Sequence, residues 1–184
     1  MLIFVSGGSA SGKSALAERI CCALPGDHYY IATMPVRDAE DERVVARHHA
    51  LRAERGFVGT LEMPGRPDFS ALPPDATALL ECLSTFTANR MFEGGGAPEP
   101  EGGWTDALWD ELQPLLDRSG HTVIVSADVS GDGVDYGPET QAYRRTLAAL
   151  GVRLCERADA AVEAVCGRPM PRKGPLPPLA PPVD

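Results

Sequence analysis

Gly7-Gly8-Ser9-Ala10-Ser11-Gly12-Lys13-Ser14 has the spacing GxxxxGK[ST], with an apolar run before it and helical periodicity after it. That context predicts a loop whose backbone N–H groups turn inward around phosphate oxygens, at the positive end of the following helix. Lys13 would reach the β- and γ-phosphates of a nucleoside triphosphate, and the Ser14 hydroxyl would ligate Mg²⁺. Such a site needs a carboxylate at the tip of a neighbouring strand. Glu81, ending the run Ala76-Thr-Ala-Leu-Leu-Glu, is the natural candidate and Asp128 the second. His48 and His49, within Arg47-His-His-Ala-Leu-Arg52, are a further pair whose ring nitrogens could act as nucleophiles or simply be solvated.

The elements that would position these groups follow from hydrophobic patterning. Met1 to Val5 reads as a buried strand, Ser14 to Leu24 as a helix, and His28 to Thr33 as a second strand. A charged helix is expected over Asp38 to Arg55. Ala76 to Cys82 and His121 to Ser126 are continuous apolar runs without polar alternation, as strands covered on both faces require. Helices are expected over Thr85 to Phe92, Thr105 to Arg118 and Pro138 to Arg157. The sum is an α/β fold of the P-loop NTPase type, a mostly parallel sheet with helices on both faces.

The chain has 184 residues, enough for one domain. Residues 1–168 are expected to form it, and 169–184, with seven of the 17 prolines, to be an extended or disordered tail that could be removed at little cost. Glu93 to Gly103, almost entirely Gly, Pro and Glu, reads as a surface loop between two helices. The net charge of −9 offers no general basic face, so nucleic acid is not an expected partner. No run of 18 apolar residues is present and the N-terminal run is too short for a signal peptide, so membrane insertion is not expected and a cytoplasmic location is. The five cysteines, odd in number and without a CxxC, read as buried free thiols.

The order of these motifs carries more. GGSASGKS (7–14), YIAT (30–33), the RHHALR segment (47–52), TLE (60–62) and LLEC (79–82) together resemble the bifunctional adenosylcobinamide kinase and adenosylcobinamide-phosphate guanylyltransferase family of cobalamin biosynthesis. Beyond Leu83 the likeness thins: Ser126-Ala127-Asp128 and Gly151-Val152 stand where the family commonly has Ser-Asn-Glu and an Asn-Gln pair.

The resemblance implies two reactions on a corrinoid: phosphorylation of the hydroxyl of adenosylcobinamide by ATP or GTP, then transfer of GMP from GTP to the new phosphate. It implies that His48 is the nucleophile that carries GMP, a role a neutral imidazole can fill. It further implies that Thr33 and Met34 line the nucleotide site, that His49, Ala50, Leu51 and Arg52 contact the nucleotide held at His48, that Glu62 accepts hydrogen bonds from guanine or ribose, and that the assembly is a homotrimer. Arg47 and Arg52 could steady developing phosphate charge. Two other readings fit the residues alone: a small-molecule P-loop kinase in which His48 is structural, and a regulatory protein that holds GTP without turning it over.

Overall fold

The computed structural model describes residues 1–35, 55–92, 95–96, 99–129, 131 and 133–180. Seven strands form one sheet in the order β3-β2-β4-β5-β1-β6-β7: β1 (Leu2–Gly7), β2 (His28–Ala32), β3 (Phe57–Glu62), β4 (Thr77–Glu81), β5 (His121–Ala127), β6 (Ala160–Val165) and β7 (Arg168–Lys173). Neighbours pair in parallel except β6 and β7, an antiparallel hairpin. The helices are α1 (Lys13–Cys21), α2 (Leu83–Phe92), α3 (Trp104–Arg118) and α4 (Pro138–Arg157), with a short 3-10 turn at Phe69–Ala71.

β1 shows why the apolar runs lack alternation. Leu2 and Phe4 pack into one cluster with Leu83 and Phe86 of α2, Leu108, Leu112 and Leu115 of α3, and Leu147, Leu150 and Leu154 of α4. Ile3 and Val5, pointing to the other face, pack with Leu16, Ala17 and Ile20 of α1. Each strand must therefore be apolar on both sides, and each fully buried aliphatic side chain contributes roughly 1.5–3 kcal/mol. The parallel sheet covered on both faces agrees with the expectation from sequence. The helices predicted over Thr85 to Phe92, Thr105 to Arg118 and Pro138 to Arg157 form within one or two residues of those bounds. The helix expected over residues 38–55 lies outside the described residues, save Arg55, which pairs with Glu18 of α1.

Three strands escaped the patterning. β3 is an edge strand carrying Gly59. β6, Ala-Ala-Val-Glu-Ala-Val, is rich in alanine, a poor strand former in isolation, and earns its place through burial between β1 and β7. β7 contains Pro169 and Pro171, which an edge strand tolerates because one row of its N–H groups faces away from the sheet.

β7 corrects the expected boundary at residue 168. The sheet continues through Lys173, whose Nζ donates to the Cys155 and Glu156 carbonyls at the end of α4. The proline-rich stretch beyond it also packs down: Leu176 and Leu179 lie against the α1-side core, Arg19 Nε donates to the Ala180 carbonyl at 2.7 Å, and Ala180 N–H donates to the Arg19 carbonyl. Proline lowers the entropy lost on ordering such a segment, so two leucines and a pair of backbone bonds suffice to hold it. The cysteines are free, but Cys166 in the β6–β7 turn is exposed, contrary to the uniform burial expected. Burial pushes the Cys21 and Cys22 thiols above their ordinary range, which keeps them protonated and unreactive.

Candidate active site

The glycine-rich loop leaves the carboxyl end of β1, an interior strand between β5 and β6, and enters α1. Gly12 caps that helix with φ 84°, a left-handed conformation that glycine adopts without cost, and no side chain caps the first turn. No acidic residue sits in that turn either, so the helix N-terminus presents its N–H groups and positive dipole end to an anion. The fit around the loop is tight. A Cβ on Gly7 would lie 2.5 Å from Ser11 Oγ and 2.9 Å from the Ala164 carbonyl, and one on Gly12 would lie 2.9 Å from Gly167 Cα.

The β6–β7 turn is thus the floor of the loop. Gly167 N–H donates to the Ser11 carbonyl at 2.8 Å, with Cys166 and Gly167 both at positive φ (50° and 75°) as a tight hairpin turn requires. Ser11 Oγ is buried without a hydrogen-bond partner, a donor group that a phosphate oxygen could satisfy. Lys13 Nζ rests on the Gly8 carbonyl at 3.2 Å, held at the loop it would serve.

Ser14 Oγ donates to Glu81 Oε1 at 2.6 Å, which brings the hydroxyl and the carboxylate predicted as metal ligands into direct contact. Asp128, the second candidate, is held differently: its backbone N–H extends the β1–β5 pairing to the Gly7 carbonyl. It lines a separate cavity of about 360 Å³ with Ser6, Ser126, Glu163 and Arg172. Hydroxyl and carboxylate oxygens are hard donors suited to Mg²⁺, and a pair already at hydrogen-bond distance fits an ion that keeps most of its water shell.

Thr33 has another task than lining a pocket. It is buried, and its hydroxyl bonds the Glu81 carbonyl at 3.0 Å, the Cys82 carbonyl at 3.1 Å and the Cys82 N–H at 2.9 Å, which fixes the tip of β4 from the neighbouring β2. Asn89 of α2 was not singled out from sequence; its Nδ2 donates to the Thr33 carbonyl at 2.7 Å and the Pro64 carbonyl at 2.8 Å, tying the exits of β2 and β3 to α2. An asparagine inside a helix is a weak signal of such a bond. Met34 is 39% exposed beside this bracket.

Glu62 and Glu81 both stand in register with Ala32, one on each neighbouring strand. Glu62 therefore lies two strand spacings from Glu81, about 10 Å, in the same row at the carboxyl edge of the sheet. It is exposed at the end of the edge strand. Arg47, His48, His49, Ala50, Leu51 and Arg52 lie outside the described residues.

Fold and loop together define a P-loop nucleotide-binding α/β protein. Residues 3–171 match the family model described as cobinamide kinase / cobinamide phosphate guanyltransferase, and the chain belongs to that family. It is 31% identical over 174 residues to a protein of Pseudomonas aeruginosa named bifunctional adenosylcobalamin biosynthesis protein CobP, covering 92% of this chain and 96% of that one. It is 33% identical over 178 residues to the bifunctional adenosylcobalamin biosynthesis protein CobU of Salmonella typhimurium, covering 90% and 93%. Among solved structures, the type III secretion ATPase EscN of enteropathogenic E. coli superposes with a TM-score of 0.54 at 17% identity. This chain spans 41% of that ATPase chain, and the likeness is one of fold.

Proposed function

We infer that this chain is a bifunctional transferase that phosphorylates adenosylcobinamide and then transfers GMP to the product. The observation that carries the reading is the Ser14–Glu81 contact at the mouth of an uncapped glycine loop, in a chain of this family. In the first reaction the acceptor hydroxyl attacks the γ-phosphorus, the bond to the bridging oxygen breaks, and the nucleoside diphosphate leaves. Phosphoryl transfer of this kind rests on positioning and charge neutralisation rather than on covalent work by the protein. Lys13 and the α1 N-terminus would hold the β- and γ-phosphates, and Ser14 and Glu81 would hold Mg²⁺. The metal, when bound, supplies neutralisation of the charge shared by the β- and γ-oxygens.

In the second reaction His48 attacks the α-phosphorus of GTP, pyrophosphate leaves, and a phosphorus–nitrogen bond joins GMP to the ring. The phosphate of the modified corrinoid then attacks that phosphorus, the phosphorus–nitrogen bond breaks, and the imidazole returns free. Arg47 and Arg52 offset the charge gathered on the phosphorus oxygens, and Glu62, together with the 49–52 segment, receives the guanosine. The enzyme works as a homotrimer in the cytoplasm; no helix among the described residues is long and apolar enough to cross a membrane. Turnover of adenosylcobinamide with ATP or GTP and Mg²⁺, followed by chromatography for the phosphate and the GDP-linked product, tests the reading. Phosphate product alone would mark a kinase without nucleotidyl transfer, and nucleotide binding without either product a regulatory protein.

A further inference from the structure

A groove of about 410 Å³ lies between the exit of β2 (Met34, Pro35), the first two turns of α2 (Ser84, Thr85, Ala88, Asn89), Val129 just beyond β5, and Tyr143 of α4. Crevices outside the carboxyl ends of parallel strands are where α/β folds take their ligands. The α2 wall of this groove reaches the Ser14–Glu81 pair through one intervening residue, Cys82. Ser14 touches Glu81, and Cys82, the next residue, places its Sγ 2.9 Å from Ser84 Oγ and 3.2 Å from Thr85 Oγ1. Thr33 binds Glu81 and Cys82 from the other side, and its chain continues into Met34.

The lining is mixed. Hydroxyls of Ser84 and Thr85 sit among the apolar surfaces of Met34, Pro35, Ala88 and Val129, and the Tyr143 hydroxyl donates to the Ser84 carbonyl at 3.2 Å. Among the described residues the lining holds no Lys, Arg or His, so it suits an uncharged chain with polar groups better than a charged phosphate. The volume lies near the lower end of the range for small-molecule pockets, enough for one arm of a large ligand and far too small for a macrocycle. At the rim, Met34 and Phe92 are 39% and 40% exposed, and the Phe92 ring meets that of Tyr143 at 6.1 Å, so a broad apolar face could lie across the mouth.

We propose that this groove is the acceptor subsite: it takes the hydroxyl-ended amide arm of the corrinoid, points the hydroxyl toward the Ser14–Glu81 end, and leaves the macrocycle outside on the Tyr143 and Phe92 side, with Met34 at the border it shares with the nucleotide. The assignment rests on the function proposed above. Ala88, half-buried in the groove on α2, is the point at which to block it.

Equilibrium binding of adenosylcobinamide, with a non-hydrolysable ATP analogue present, is measured by calorimetry on wild type, Ala88→Leu and Ala88→Trp, with the Kd of the analogue measured separately. The groove predicts corrinoid binding weakened by at least about tenfold in Ala88→Trp, less in Ala88→Leu, with the nucleotide Kd unchanged in both. If Ala88→Trp does not fold, Ala88→Leu carries the same comparison. Wild-type corrinoid affinity in the variants would overturn the subsite while leaving the proposed function standing. Loss of nucleotide affinity in parallel would assign the groove to the nucleotide instead and equally overturn it. Failure of the wild type itself to bind the corrinoid would remove the functional reading, and the subsite with it.

Discussion

Ser14 Oγ donates to Glu81 Oε1 at 2.6 Å across 67 residues of sequence, joining the first turn of the loop helix to the tip of β4. The contact exists because β4 lies two places from β1, with β5 between, and because Thr33 holds the Glu81 and Cys82 backbone still. A hydroxyl and a carboxylate fixed in this way form a ready pair of oxygen ligands.

Removing either member should therefore affect chemistry more than folding. Ser14→Ala and Glu81→Gln are each expected to lower the kinase kcat by about 10²-fold or more, the scale found when one preorganised stabilising group is lost. Steady-state kinetics at increasing Mg²⁺ checks this. Near-normal turnover in both variants would remove the pair from the reaction.

Gly12→Ala is expected to cripple nucleotide binding for a reason of geometry. Its φ of 84° disfavours any side chain by roughly 1–2 kcal/mol, and the new Cβ would also press on Gly167 Cα at 2.9 Å, backbone that cannot swing aside. The loop and the β6–β7 turn beneath it must then separate. Calorimetric titration with a non-hydrolysable GTP analogue should show binding weakened by at least about tenfold; unchanged affinity would mean that the turn is not the floor of the loop.

Truncation after Gly174 keeps β7 but removes Leu176 and Leu179. Both are half-buried against the α1-side core, so their loss should cost about 2 kcal/mol and lower Tm by roughly 4–8 °C. Differential scanning calorimetry checks it, and an unchanged Tm would restore the reading of this segment as a dispensable tail.

His121 supplies a pH dependence. Burial, with the N-terminal ammonium adding to it and Asp159 opposing, holds its pKa below the ordinary value, and its Nδ1 is buried without a hydrogen-bond partner. A depressed folded pKa leaves stability complete above the unfolded value of about 6.5 and removes it as pH falls from there toward the lower folded value. His121→Gln should flatten that part of the Tm-against-pH curve relative to wild type. Parallel curves would show that the group titrates normally.

The loop, its helix and Glu81 were legible in the sequence because each is local: a fixed spacing of Gly, Lys and Ser, or an apolar run that stops at one carboxylate. What lay hidden was non-local. Thr33 read as a pocket residue, but its hydroxyl is consumed by a strand 48 residues away. Gly167 carries no motif, and only the return of β6 beside β1 places it under Ser11. β6 and β7 broke the propensity rules, one by its alanines and the other by its prolines, and both exist through pairing partners that periodicity does not register. The tail packs for a similar reason, since two leucines among prolines find a hydrophobic shelf on α1.

If one chain performs both a phosphoryl and a GMP transfer, the second through His48, GMP must become covalently attached to the protein. The most direct measurement is intact-protein mass spectrometry after incubation with GTP and Mg²⁺, followed by peptide mapping, on wild type, His48→Ala and a variant lacking both His48 and His49. The expected result is a GMP adduct on the wild-type peptide containing His48, its absence from both variants, and kinase turnover retained in His48→Ala. An adduct mapped outside residues 47–52, or GMP transfer at the wild-type rate in both variants, would contradict it.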